Sequence, residues 1–207
     1  MTTENNVLMR QARQSLEGKW GLAIATFVVY AVIIGAANGF PLLGLIISGP
    51  MVVGFAIFSL NIARGEEAKL EQIFDGFKNF GNAVGAYILM VIFIMLWMLL
   101  LIIPGIIAAI AYSQTFFILS EDREIGPMDA LKKSRDMMDG HKWKYFEMAL
   151  IFFGLSLLCI LTLGIGFLWL VPYMQVSYAN FYDDLKGEFI LESKDLVDED
   201  ILDKDFV

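Results

Sequence analysis

Three long stretches of this chain carry no charge. Residues 20–63, 79–120 and 148–182 contain no Asp, Glu, Lys, Arg or His, and run for 44, 42 and 35 residues. A water-soluble core needs nothing of the kind. A bilayer does, because a charge at its centre costs a few kcal/mol or more. The composition agrees: 57% of residues are hydrophobic, against about 45–50% in a soluble domain.

One helical span takes about 20 apolar residues, so each stretch is too long for one crossing and right for two. Each is interrupted near its middle by Gly and Pro: Gly39-Phe40-Pro41 and Ser48-Gly49-Pro50 in the first, Pro104-Gly105 in the second, and Gly164-Ile165-Gly166 in the third. This predicts three helical hairpins and six spans, near 20–39, 44–63, 83–103, 105–120, 147–164 and 166–182. An open sheet cannot satisfy its edges in hydrocarbon, and the short alternating segments of a barrel are absent. The fold class expected is an all-α integral membrane protein.

The parity of hairpins puts every charge on one side. All 15 Lys and Arg fall at the N-terminus, within 64–78, within 123–144, or in the C-terminal tail. By the positive-inside rule that side is cytoplasmic, with both termini. The net charge of −8 is mostly a tail effect, since residues 183–207 hold 10 acidic and 3 basic residues. The tail reads as a solvated, partly disordered end, in which Phe189, Ile190, Leu191 and Leu196 supply apolar docking points.

The chain also repeats at a period near 60 residues, as a short amphipathic segment followed by a hairpin. The units run about 5–63, 66–120 and 126–182, within one transmembrane domain over 1–182, and 183–207 is a cytoplasmic tail. Leu8, Arg13, Leu16, Gly18 and Trp20 have counterparts in Leu131, Arg135, Met138, Gly140 and Trp143. In the middle segment Leu70, Ile73, Phe74, Phe77 and Phe80 form the apolar stripe of an interfacial helix. Ala31, Gly35 and Gly39, at i, i+4 and i+8, form a small-residue stripe expected to pack inside the bundle, as do Gly81 and Gly85.

Several of these phrases carry a resemblance. Ile73-Phe74-Asp75-Gly76-Phe77, Ile103-Pro104-Gly105-Ile106-Ile107, Ala130-Leu131 with Ser134 and Gly140, and Pro172-Tyr173 followed by Phe181-Tyr182-Asp183 resemble the bacterial membrane family called domain of unknown function 975. The chain is also similar to YciC-like proteins and, more distantly, to the membrane domain of some glycerophosphoryl diester phosphodiesterases. The resemblance covers most of residues 5–185. It implies a multi-pass protein of the bacterial cytoplasmic membrane without an assigned activity, and it brings no catalytic residues.

The inventory for chemistry is thin. His141, Ser134, Asp136 and Asp139 belong to one short segment and cannot converge as members of a triad do. Glu121, Asp122, Glu124 and Asp129 have no calcium-loop spacing and include Arg123. Cys159 is the single cysteine. No enzyme, metal or cofactor is predicted. Two sets of residues stand out instead. Arg13, Lys19, Lys132, Lys133, Arg135 and Lys142 flank spans one and five beside Trp20 and Trp143, and are candidates for anionic lipid headgroups, the alternative being topology signals. Asn61, Tyr112, Gln114, Tyr173, Gln175 and Asn180 are an intramembrane polar cluster, either interhelical hydrogen bonding or a cavity lining. The reading is a non-catalytic membrane protein that binds anionic lipid or a membrane partner through its cytoplasmic face; the alternative is a small transporter or permeation element for a neutral or amphipathic ligand. The partners expected are the bilayer, another membrane protein or a second copy of the chain, and no nucleic acid.

Overall fold

The computed structural model describes residues 3–204, with side chains through Ile190, Pro41 apart; Leu191 and Leu196 of the tail lie outside the described side chains. The helices are α1 Asn5–Leu16, α2 Trp20–Asn38, α3 Pro41–Ala63, a 3-10 helix Leu70–Asn79, α4 Phe80–Leu100, α5 Ile102–Ala111, α6 Thr115–Glu121, α7 Pro127–Met137, α8 Lys142–Leu161 and α9 Phe167–Lys204. No strand occurs among the described residues. Five helical segments are long and apolar enough to cross a membrane: Trp20–Asn38, Leu42–Ala63, Leu70–Leu100, Ile102–Glu121 and Lys142–Leu161. The chain is an all-helical membrane protein. The start of α9 is apolar too, but Pro172, Gln175, Ser177 and Asn180 interrupt it, and the same helix runs on into the acidic segment.

The turns differ in detail from the sequence expectation. The second hairpin bends at Leu101, a single extended residue (φ −161°, ψ 142°), and Pro104-Gly105 lies inside the first turn of α5. Proline is tolerated there because the first-turn N–H has no intrahelical partner in any case. The third hairpin turns through Leu163 (φ 55°) and Gly164 (φ 86°). The helix expected over 105–120 is broken in two at Tyr112-Ser113-Gln114. Ser134 of α7 splints that break: its Oγ donates to the Ala111 carbonyl at 2.8 Å and accepts from the Gln114 N–H at 3.2 Å. Backbone groups freed inside an apolar region need such a substitute.

At the centre stands α3. Of its apolar window 61% is buried, against 11–17% for Trp20–Asn38, Leu70–Leu100 and Lys142–Leu161. Glycines set its contacts. A Cβ on Gly54 would overlap the Ile73 carbonyl, one on Gly76 would overlap the Pro50 carbonyl, and one on Gly49 would overlap the Ala83 carbonyl. Around this crossing Ala12, Leu16, Phe58, Ile62, Ile73 and Val176 form one buried cluster. A second joins α6, α7, α8 and α9 through Phe117, Leu131, Phe152, Phe181 and Tyr182.

Two stripes fall elsewhere than expected. The segment from Leu70 is a 3-10 helix, so its faces repeat every three residues instead of every 3.6. Ile73 and Gly76 are buried against α3, whereas Phe74, Phe77 and Phe80 form a separate exposed face on which Phe77 and Phe80 stack at 6.3 Å. The stripe of Ala31 and Gly35 also points outward, with open space beside Gly35. The helix instead packs through Ala23, Thr26 and Ala37. Of the Gly81 and Gly85 pair, Gly81 faces open space and Gly85 lies against Pro127.

The crossing gives a direct test. Gly54→Ala or Gly76→Ala forces backbone apart, and overpacking of this kind costs about 1–3 kcal/mol or more. Gly35→Ala meets nothing and removes a flexible helix residue, so it is neutral or stabilising by up to about 1 kcal/mol. Thermal melting of the three variants in detergent checks this; equal melting temperatures would mean that the two elements are not in contact.

Candidate functional site

The basic residues are held in two separate places. Arg135 on α7 and Lys142 at the start of α8 line one trough of about 230 Å³, whose remaining wall is Trp97, Pro104, Ile107, Ala108, Ala111 and Tyr112. Local structure explains the meeting. Ser134 bonds to the break after Ala111, which fixes the neighbouring Arg135 beside the end of α5, and α7 ends at Met137 just before Lys142 opens α8. Each cation has only a light counter-charge: Arg135 Nε is 3.7 Å from Asp136, and Lys142 Nζ is 2.9 Å from the exposed Asp139. Lys132 and Lys133 lie on the same short helix, with Lys132 Nζ 3.9 Å from Asp129. Trp143 is exposed next to Lys142.

Arg13 and Lys19 are elsewhere. The first is exposed on α1, which packs on α9 and α3. The second donates from Nζ to the Glu66 carbonyl at 3.1 Å. The repeat relation of Arg13 to Arg135 therefore does not bring the two together.

The polar cluster is likewise divided. Tyr112 lines the trough. Asn61 lines a different hollow with Arg64, Ser120 and Glu121. Asn180, buried, donates from Nδ2 to the Leu8 carbonyl at 3.2 Å and ties α9 to α1. Gln114 is fully buried; its Nε2 donates to Ser113 Oγ at 2.9 Å and its Oε1 has no partner among the described residues. Tyr173 packs edge-on against Phe152, and Gln175 is half-buried.

The strongest polar feature was missed in the sequence. Arg64 Nη2 meets Glu121 at 2.6 Å and Asp183 at 2.5 Å, and Glu121 also accepts from Tyr182 Oη and Lys186 Nζ, each at 2.7 Å. A signal for it existed: Arg64, Glu121 and Asp183 are the residues that directly follow the three charge-free stretches. Beside it Asp184 accepts from Lys144 Nζ at 2.7 Å and from Thr3. Hydrogen bonding to Asp183 raises the Arg64 guanidinium above its ordinary value, against the cost of burial. Burial pushes the Asp184 carboxyl up, but the hydrogen bonds from Lys144 and Thr3 outweigh it and hold the group below the usual carboxylate range. The acids expected to form one loop cluster are thus separated: Glu121 joins this network, while Asp122 Oδ1 accepts from the Glu124 and Ile125 backbone N–H groups.

The Arg64, Glu121 and Asp183 side chains are 20–31% exposed, so screening reduces what the pairs contribute. Arg64→Ala is expected to cost roughly 1–2 kcal/mol, between a surface pair and a buried one. A double-mutant cycle of Arg64→Ala with Asp183→Ala checks it by denaturant unfolding in detergent; a coupling indistinguishable from zero would reduce the network to incidental surface pairing.

No curated protein and no solved structure matches the chain. Residues 98–188, which include α5, α6, α7, α8, every residue of the Arg135–Lys142 trough but Trp97, and both Glu121 and Asp183, match a family model described as protein of unknown function (DUF975). Over that stretch, somewhat less than half of the chain, the sequence is similar to this family of unknown function.

Proposed function

We propose that this is a non-catalytic protein of a bacterial cytoplasmic membrane that binds anionic lipid where Arg135 and Lys142 meet an apolar wall. One observation carries the reading: two cations with light counter-charge share a trough with Trp97, Pro104, Ile107 and Ala108. That is the chemistry of a phospholipid, whose phosphate takes parallel hydrogen bonds from a guanidinium and whose chain takes the apolar side. Lys132 and Lys133 add positive potential on the same helix. Arg13 and Lys19, ahead of the first span, serve as topology signals or as a second contact with headgroups.

The proposed topology has six spans, the sixth being the apolar start of α9, with the charged ends and both termini cytoplasmic. It draws support from the turns, which are apolar and exposed: Leu42 and Leu101 lie open, and Leu163 is 94% exposed. In a variant lacking Cys159, cysteines at Leu42, Leu101 and Leu163 should react with an impermeant thiol reagent from outside, and one at Gln14 should not. External labelling at Gln14 would reverse the orientation.

For the lipid site, Arg135→Gln with Lys142→Gln should lower retention of phosphatidylglycerol on the purified protein by about tenfold, each contact being worth about 1 kcal/mol or somewhat less. Lys194→Gln with Lys204→Gln in the tail should not. A second reading, a permeation element for a neutral or amphipathic ligand, is favoured by the broken α5–α6 helix and the unpartnered Gln114 Oε1 beside it, since discontinuous helices line sites in many transporters. Unchanged lipid retention in a folded double variant would shift the conclusion to that reading.

A further inference from the structure

The charged end of the bundle carries three helices that the other end lacks. Each lies across that end. α1 is tied to Asp184 by the Thr3 N–H at 3.0 Å and to the Ala63 carbonyl by Ser15 Oγ at 3.3 Å. The 3-10 helix starts just after Glu66, whose carbonyl accepts from Lys19, and leads to Asn82, whose Nδ2 donates to the Arg123 carbonyl at 3.2 Å. α7 begins against Gly85 and reaches the break after Ala111. The packing follows one rule: α1 lies on α8 and α9, the 3-10 helix on α2 and α3, and α7 on α4 and α6. Ala12, Ile73 and Ser134, equally spaced in the sequence, are fully buried, and the residue after each, Arg13, Phe74 or Arg135, is exposed. Every segment is thus keyed into the bundle at one residue and faces outward at the next. At the opposite end the hairpins close through short turns at Phe40, Leu101 and Leu163. The molecule is broader at its charged end.

The outward rim of that end has two kinds of surface. On α1 and α7 it is cationic, with Arg10, Arg13, Lys132 and Arg135 exposed. On the 3-10 helix it is aromatic: Phe74, Phe77 and Phe80 are 45%, 37% and 45% exposed. Lys78 stands among them, 58% exposed. Phe80 opens the α4 span, so the phenyl face is continuous with lipid-facing surface, and the Asn82 bond sets it level with the charged loop that holds Arg123. Phenyl rings beside cations at that level belong at the boundary between headgroups and acyl chains, in an anionic leaflet. Rings enter such a boundary through gaps between lipids, and a convex leaflet has more of them, so insertion depends on curvature. We infer that this rim docks on the anionic leaflet as a wedge, and that the protein favours bilayer convex toward its charged end. The inference does not depend on the Arg135–Lys142 lipid site.

The test reconstitutes the full-length protein into small sonicated and large extruded vesicles of phosphatidylethanolamine and phosphatidylglycerol. Gln14→Cys in a Cys159→Ser background puts a thiol on the exposed face of α1, and an impermeant thiol reagent reads how many molecules have the charged end outside. The ratio of outward to inward molecules should rise about fivefold from large to small vesicles, equivalent to about 1 kcal/mol. Phe74→Ser with Phe77→Ser should remove most of that rise; if the pair melts early, Phe74→Ser alone should remove part of it. Leu42→Ser with Leu163→Ser strips apolar surface from the opposite end and should leave the rise intact. Arg135→Gln with Lys142→Gln should also leave it, which keeps this outcome separable from lipid retention in the trough. A ratio that does not change with vesicle size overturns the inference. So does a rise that the folded Phe74 and Phe77 variant keeps in full, or one that the Leu42 and Leu163 variant loses equally.

Discussion

The backbone crossing of α3 with the 3-10 helix is the contact on which the rest of the bundle is arranged. Gly54 and Gly76 let two main chains meet where any side chain would overlap a carbonyl of Ile73 or Pro50. In lipid there is little hydrophobic gain in bringing helices together, because the tails are as apolar as leucine. Association rests on close packing and on hydrogen bonds, and small residues are what permit the approach. With this crossing in place, α3 becomes the interior helix. On one side α2 and the end of α1 pack against it, and on the others α4, α6 and α9 do. Ile73 is fully buried as a consequence, and the phenylalanines of the same short helix are turned to its other face.

Charge is the second organising constraint. The cost of burying an ion in hydrocarbon keeps charges out of the three apolar stretches, so the first charged residue after each stretch marks the place where a helix leaves the apolar layer. Arg64, Glu121 and Asp183 are those three residues, and they close on one another. One guanidinium answers two carboxylates, and Lys186 and Tyr182 satisfy the remaining oxygen of Glu121. The network fastens the ends of α3 and α6 to α9 at a common level, and Asp184 with Lys144 and Thr3 extends it to the start of the chain.

The proposed lipid site lies where α8 begins and sets polar groups beside an apolar wall. Arg135 and Lys142 are each paired with an exposed acid, Asp136 at 3.7 Å and Asp139 at 2.9 Å, whereas on the side facing α1 Lys144 is paired with the well-buried Asp184 at 2.7 Å. A helix whose first two turns read Lys142-Trp143-Lys144-Tyr145-Phe146-Glu147 presents different charges to different sides. Neighbouring elements, α7 on one side and α1 on the other, decide which of them remain free.

By itself the sequence determined the fold class. Three charge-free stretches, each long enough for two helices and each broken by Gly or Pro, admit helical hairpins and little else, because both the desolvation of charge and the need to satisfy backbone groups in lipid act on local composition. The phrase around Pro104 carried the family resemblance in the same local way, and it lies within the matched residues 98–188, whereas the phrase around Ile73 and Gly76 lies outside them. The tertiary structure alone decided which residues meet. A helical wheel with period 3.6 placed Ile73 and Phe74 on one face, and the 3-10 winding separated them. The break at Tyr112-Ser113-Gln114 was invisible because the groups that make it tolerable come from Ser134, twenty residues away. Arg13 and Arg135 stood at matching positions of a repeat, yet α1 packs mainly on α9 and α3 while α7 packs mainly on α4 and α6, and it is Lys142 that shares the trough with Arg135. Periodicity reports the environment of a single helix. The pairing of side chains from separate helices depends on crossing positions, which backbone contacts such as Gly54 with Ile73 set and which no local pattern records.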